Sequence, residues 1–253
     1  MVEWDRPWLA GWDGAGRPVH TRWMQGAPLH EALVAQGASP VRFVPQSVLP
    51  DGMAYEQFVF QTRTCPVREG LHDFFNGLVW LRFPLAKVRL NELQAAEITA
   101  RGTSGPRGPV RDAITVFDEN GALLDAPQPL WDALVAREWR RLFVDLRPLW
   151  AQARLLVFGH ALLEQLVHPR KGLTAHVWRA QCAMNSGANP DGWLAAQLTP
   201  GALAAKPFTP LPVLGIPGWW PENLNFSFYD DSLVFRPPRR QNPTTTAEQP
   251  PGP

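Results

Sequence analysis

Cysteine is scarce: the chain holds 2, Cys65 and Cys182. A disulfide framework needs more, so both read as reduced thiols in a reducing compartment, with one bridge between them as the alternative. Long apolar runs are missing too. The longest, such as 78–81 and 155–158, fall far short of the ~20 residues of a spanning helix, so no membrane partner is expected. The start, Met1-Val2-Glu3-Trp4-Asp5-Arg6-Pro7, has no basic stretch leading into an apolar one. It does not read as a secretory signal, and the expected location is cytoplasmic. Nor is there an excess of one charge: 24 Lys and Arg against 23 Asp and Glu leave +1. That balance makes no long-range field to draw nucleic acid or anionic lipid, so no nucleic-acid partner is indicated. Gly-x-Ser-x-Gly, a phosphate-cradling glycine loop and a dinucleotide fingerprint are all absent from the sequence.

What is plentiful is proline and tryptophan, 27 and 12 residues in 253. The prolines are spread along the chain and punctuate many loops. Tryptophans in such loops suggest segments pinned onto the body, because a large ring with an N–H is costly to leave unplaced. The length suits one large domain or two small ones. The expected organisation is a single globular domain over 1–240, beginning with an irregular, Trp-anchored segment at 1–45. A disordered Pro-, Thr- and Gln-rich tail is expected at 241–253.

Along the chain, 28–37 suggests one short helix, and 53–62 reads as helix or strand. Residues 71–83 carry a helical apolar stripe, Pro84 breaks it, and a second helix follows over 85–99. That second helix places Lys87, Asn91 and Gln94 on one side. Residues 113–118 look like a strand. Asn120-Gly121 then predicts a two-residue hairpin turn into 122–124, since both turn positions need positive φ. Trp131, Leu134, Val135, Trp139, Leu142 and Phe143 form a helical stripe. The stretch 149–167 is either one helix or a strand at 155–158 feeding a helix near His160. Strands are expected at 173–181 and 226–235, with a Pro-Trp loop at 207–221 covering a pocket. The expected fold class is α+β, with mixed helices, a small and mostly antiparallel sheet, and many Pro/Trp-rich loops.

Several strings carry a resemblance: His72-Asp73-Phe74-Phe75-Asn76 with Trp80, Arg111-Asp112 with Phe117-Asp118-Glu119-Asn120-Gly121, and Phe158-Gly159-His160-Ala161-Leu162-Leu163-Glu164. Thr174-Ala175-His176, Pro210-Leu211-Pro212-Val213-Leu214-Gly215, Pro217-Gly218-Trp219-Trp220 and Phe228-Tyr229-Asp230-Asp231 extend it. Over roughly 45–237 the chain resembles a bacterial, chiefly proteobacterial, family designated only as a domain of unknown function. The resemblance implies a bacterial source and assigns no residue a role.

The site candidates therefore come from residue chemistry alone. His160, Glu164 and His168 fall at i, i+4, i+8 and would share a helix flank, with His176 able to fold back from a strand. His160, Glu164 and His176 are the expected ligands of a divalent metal such as zinc; the plainer alternative is a hydrogen bond between His160 and Glu164. His72 and Asp73, with Asn76 and Trp80 on the same face, suit a general base; the plainer alternative is that Asp73 favours a helix start. Arg111 suits an anion, although a structural pair with Asp112 is the plainer reading. Asp118-Glu119-Asn120-Gly121 superficially resembles a calcium loop, but its glycine falls too early. Asp230 and Asp231, in an expected strand, would point to opposite faces. Cys65 has no basic surroundings to activate it. The leading reading is a metal-dependent hydrolase gathering His72, Asp73, His160, Glu164 and His176 around a small-molecule substrate. The alternative is a non-enzymatic small-molecule or protein-binding module with structural histidines. Substrate, metal and oligomeric state are not legible.

Overall fold

The computed structural model describes residues 1–102, 108–181 and 189–237. The tail expected at 241–253 and Cys182 lie outside the described residues. The N-terminal stretch is more regular than its glycines and prolines suggest. Asp13–Met24 forms helix α1 and Leu29–Val34 forms α2. Pro18 lies inside α1, where it takes one bond away from the Gly14 carbonyl. Gly14 is exposed, so water can take that carbonyl's bond. Burial of Trp12, Gly16, Val19 and His20 then outweighs the poor propensity. Trp4, Trp8 and Trp12 are buried, and Trp12 Nε1 donates to the Val157 carbonyl at 3.1 Å.

Strands β1 (Arg42–Pro45) and β2 (Thr64–Val67) pair in parallel, joined through α3 (Tyr55–Thr62). Residues 53–62 thus resolve as helix. α4 (Leu71–Arg82) ends at Phe83, and α5 (Pro84–Arg101) begins at once. Pro84 occupies the first position of α5, where the missing N–H has no intrahelical partner to lose.

The expected strand at 113–118 and its Asn-Gly hairpin do not form. Pro109–Asn120 is helix α6, and Gly121, with φ −72°, opens strand β3 (Gly121–Asp125). Val110, Ala113, Ile114 and Phe117 recur at helical spacing and are all buried. That stripe, headed by Pro109, prevails over the β-branched run and the turn dipeptide. The stripe at 131–143 is likewise not one helix. α7 (Gln128–Val135) stops, Arg137 takes φ 54°, and Arg141–Asp145 makes a π-helical turn.

Of the two readings of 149–167, strand then helix is the one found: β4 (Arg154–Val157) and α8 (His160–Gln165). β5 (Thr174–Arg179) forms as expected, followed by α9 (Pro190–Gln197), α10 (Pro200–Ala204) and β6 (Thr209–Pro212). β6 falls inside the expected Pro-Trp loop. The main sheet runs β4-β3-β5-β6. Its outer pairs are antiparallel and its central pair, β3 with β5, is parallel. The expected last strand at 226–235 is instead a short 3-10 helix, Phe226–Asp230, capped by the Asn225 side chain. Phe228, Tyr229 and Phe235 cluster with one another, and Tyr229 stacks on Phe143, so they do not alternate between two faces.

The architecture is α+β. One cluster of buried apolar side chains draws members from Val2 to Phe235. α4 packs on α8, and α5 packs on α3, α6 and α9. Among the described residues no helix is long and apolar enough to cross a membrane.

Candidate functional site

Helices α4, α5 and α6, with the first residue of α8 and residues near α3, wall a cavity of about 340 Å³. α4 supplies His72, Asp73, Asn76 and Trp80; α5 supplies Lys87, Leu90, Asn91 and Gln94. α6 supplies Ile114, Thr115, Asp118 and Glu119, and α8 supplies His160. One chain crossing sets His160 against α6. The Phe158 and Gly159 amides both donate to the Gly121 carbonyl, at 2.9 and 2.8 Å. The start of α8 is thereby tied to the end of α6, which puts His160 beside Asp118.

A line of polar contacts crosses the cavity wall. Glu164 Oε2 lies 2.9 Å from His72 Nδ1, and His72 Nε2 lies 3.1 Å from His160 Nε2. His160 Nδ1 is 3.7 Å from Asp118 Oδ2. Lys87 Nζ donates to both Asp118 oxygens, at 2.7 and 2.9 Å, and to Asn76 Oδ1 at 3.0 Å. Asn76 Nδ2 donates to the Tyr55 hydroxyl at 3.3 Å, and that hydroxyl lies 3.1 Å from Cys65 Sγ. Only one hydrogen can sit between the two facing Nε2 atoms. One of the two nitrogens therefore donates and the other accepts.

Burial shapes the charges. It pushes the Asp118 carboxyl up, but Lys87 and then His160 pull it down, and it ends below the ordinary carboxylate value. Burial lowers His160 to about 4; Asp118 resists this, while Lys87 and His72 add to it. His160 is therefore neutral near pH 7. Burial drives the Cys65 thiol up to about 12 and raises Tyr55 well above its ordinary value, so neither is a ready nucleophile.

The depressed His160 value has a consequence for stability. The unfolded chain binds this proton below the ordinary 6.5, and the folded chain only near 4. Stability is therefore complete above about pH 6.5 and is lost as pH falls towards 4. The loss should be about 2–3 kcal/mol between pH 7 and 4.5. Burial lowers His20 and His176 in the same direction. Urea unfolding of His160→Asn should show a clearly flatter pH profile than wild type; identical profiles would mean that His160 is not the group responsible.

The expected residues are only partly gathered. His72, Asp73 and His160 line the cavity, and Glu164 reaches His72 from behind. The expected hydrogen bond from Glu164 to His160 goes to His72 instead. His176 sits mid-strand, opposite Gly121 and Pro210, and does not line the cavity. α8 ends at Gln165, before His168. Among the described residues no group of three His, Cys, Asp or Glu is placed to hold a metal ion; of the expected set, His160 and Glu164 both contact His72, and His176 stays apart. The Asp73 carboxylate accepts from the Arg68 amide at 2.7 Å and from its guanidinium at 2.8 and 3.2 Å, pinning the turn into α4. Arg111 lies on α6 but does not line the cavity. Trp219 and Trp220 do not line it either; Trp219 packs 6.1 Å from Trp8, so the Pro-Trp segment is no lid here.

Residues 41–239 match the model of a family described as protein of unknown function, DUF3025. The chain belongs to this DUF3025 family. Comparison with curated proteins gives no match, and comparison with solved structures gives none. In this DUF3025 chain neither Lys87 nor Asp118 is among the expected catalytic or metal-binding residues, although helical spacing places Lys87 beside Asn91 and Gln94. A helical reading of 109–120 would have found Asp118, one turn from the buried Ile114. Its partner Lys87 lies 31 residues away, and no local pattern joins the two.

Proposed function

We propose that the protein is an enzyme that hydrolyses a small polar substrate in this cavity by acid–base chemistry, with His72 exchanging the proton. The observation that supports this reading is the contact line from Glu164 through His72 to His160. A carboxylate at Nδ1 fixes the tautomer of His72 and leaves Nε2 as the basic nitrogen. In the resting state Nε2 faces His160, so substrate must displace His160 as its partner. Water then gives a proton to Nε2 while its oxygen bonds to the electrophilic carbon or phosphorus. The same proton passes to the leaving group as the old bond breaks. Glu164 offsets the charge that forms on His72, and neutral His160 adds none. Asp73 is a positioning residue acting through the Arg68 turn. Arg111 and His176 take no part, and no metal enters the scheme, because the donors expected to hold one are not gathered.

A second reading is a binding cavity without chemistry. What favours it is that both ring nitrogens of His72 already have partners, as in a purely structural staple between α4 and α8. A panel of nitrophenyl esters, nitroanilides, nitrophenyl phosphates and nitrophenyl glycosides separates the two. Wild type should turn over at least one class, and His72→Asn should lower that rate by about 10²- to 10⁴-fold. Glu164→Gln should lower it less. If no class is turned over, or His72→Asn is as active as wild type, the cavity binds without catalysing.

A further inference from the structure

The inner part of the cavity holds groups that proton exchange does not use. Lys87, Asn91 and Gln94 recur at i, i+4, i+7 on α5 and are 5%, 7% and 6% exposed. Asn91 Nδ2 donates to the Glu56 carbonyl at 2.7 Å, which fixes the direction of that amide. Its Oδ1 is left buried without a partner. Gln94 Oε1 is also buried and unpartnered, and so is the Trp80 Nε1 donor on α4. Buried polar atoms are nearly always paired, because each unpaired one weakens the fold. His160 Nδ1, which also lines the cavity, is a fourth. The three grouped on α4 and α5 mark a place where a ligand completes the bonds.

The charges of the wall narrow the class. Arg68 is engaged by Asp73, and Lys87 by Asp118. Each of these cations already has its carboxylate, so neither offers an anionic ligand an unmet positive charge. The carboxylates that pair them are equally occupied towards an ammonium ion; of the other carboxylates on the wall, Glu119 is exposed and Glu56 half-buried, so water already solvates both. The buried unmet groups on α4 and α5 are neutral: amide oxygens that need a donor and an indole N–H that needs an acceptor. Leu49, Leu90 and Ile114 add apolar surface to the same wall.

We propose that the cavity recognises a small, uncharged, amide-bearing molecule with an apolar body. The carboxamide donates to Asn91 and Gln94 and accepts from Trp80, while the apolar body lies against Leu49, Leu90 and Ile114. Side-chain amides one helical turn apart suit this pairing, since an amide is the neutral group that both donates and accepts. The proposal deepens the hydrolase reading, and rests on it only for the chemistry after binding.

The test uses three probes of one shape: benzamide, benzoate and benzylammonium, titrated into the full chain by calorimetry. Benzamide should bind at least ten-fold more tightly than either charged probe. Gln94→Leu should weaken benzamide at least ten-fold without lowering the melting temperature, because it replaces an unpaired buried amide by an apolar side chain. Trp80→Phe, which keeps a ring and loses the N–H, should weaken it as well. Tighter binding of either charged probe, no benzamide binding, or unchanged affinity in both variants would overturn the assignment. The two readings fail separately. Benzamide bound as described, with no nitrophenyl or nitroanilide probe turned over, removes the chemistry and keeps the ligand class. His72-dependent turnover with no preference for benzamide does the reverse.

Discussion

Gly159→Ala should cost about 3 kcal/mol or more of unfolding free energy and disorganise the cavity with it. Gly159 has φ −62° and ψ 117°, which alanine adopts freely, so backbone strain is not the reason. The reason is space. A Cβ at Gly159 would press into the Glu119 carbonyl and the Asn120 amide, backbone atoms at the end of α6 that cannot swing aside. Overpacking a tight site costs typically about 1–3 kcal/mol, and a backbone neighbour puts this case at the upper end. Relief requires α8 to move away from α6, which carries His160 away from Asp118. Gly14→Ala is the control. Nothing lies within 4 Å of a Cβ there, and the residue is exposed in α1. That change should stabilise by roughly 0.5–1 kcal/mol. Urea unfolding of both variants, with histidine ring resonances as a local probe, checks the contrast; similar small effects would mean the crossing is loosely packed.

Breaking the Lys87–Asp118 pair from one side should be nearly as damaging. Asp118→Leu leaves the Lys87 ammonium buried with no carboxylate, retaining only Asn76 Oδ1 and the Trp80 ring at 5.3 Å. Removing one partner of a buried pair costs about 3–5 kcal/mol. Lys87→Met should cost less, because the Asp118 side chain is 24% exposed and water can solvate the stranded carboxylate. The double variant should lose much less than the two single losses together, because no uncompensated charge remains. The coupling read from that cycle at pH 7 is the result to watch. Additive losses would show that the two side chains do not act as a unit.

How much of this was legible depended on whether a signal was local. The α4 face with His72, Asp73, Asn76 and Trp80, and the α5 side with Lys87, Asn91 and Gln94, follow from helical spacing, and both face the cavity. The α6 face was hidden because Asn120-Gly121 is a strong turn dipeptide. Its glycine proves to serve close packing instead: a Cβ at Gly121 would strike Phe117. The partner of His72 is Glu164, 92 residues on, and no spacing rule could choose it over His160 four residues from Glu164. His176 was grouped with the site by residue type, whereas the β3–β5–β6 register keeps it away. Sequence order named the right histidines on the helices and had no means of saying which would meet.

The bond from Trp12 to Val157 spans 145 residues. During synthesis, the N-terminal arm leaves the ribosome long before the strand on which it docks. At roughly 5–20 residues per second, about 7–30 s pass between the two. For that interval the Trp12 indole has no finished core to enter, and it is open to chaperones and to neighbouring nascent chains. The length of this exposure is set by the speed of translation and not by any contact in the finished fold.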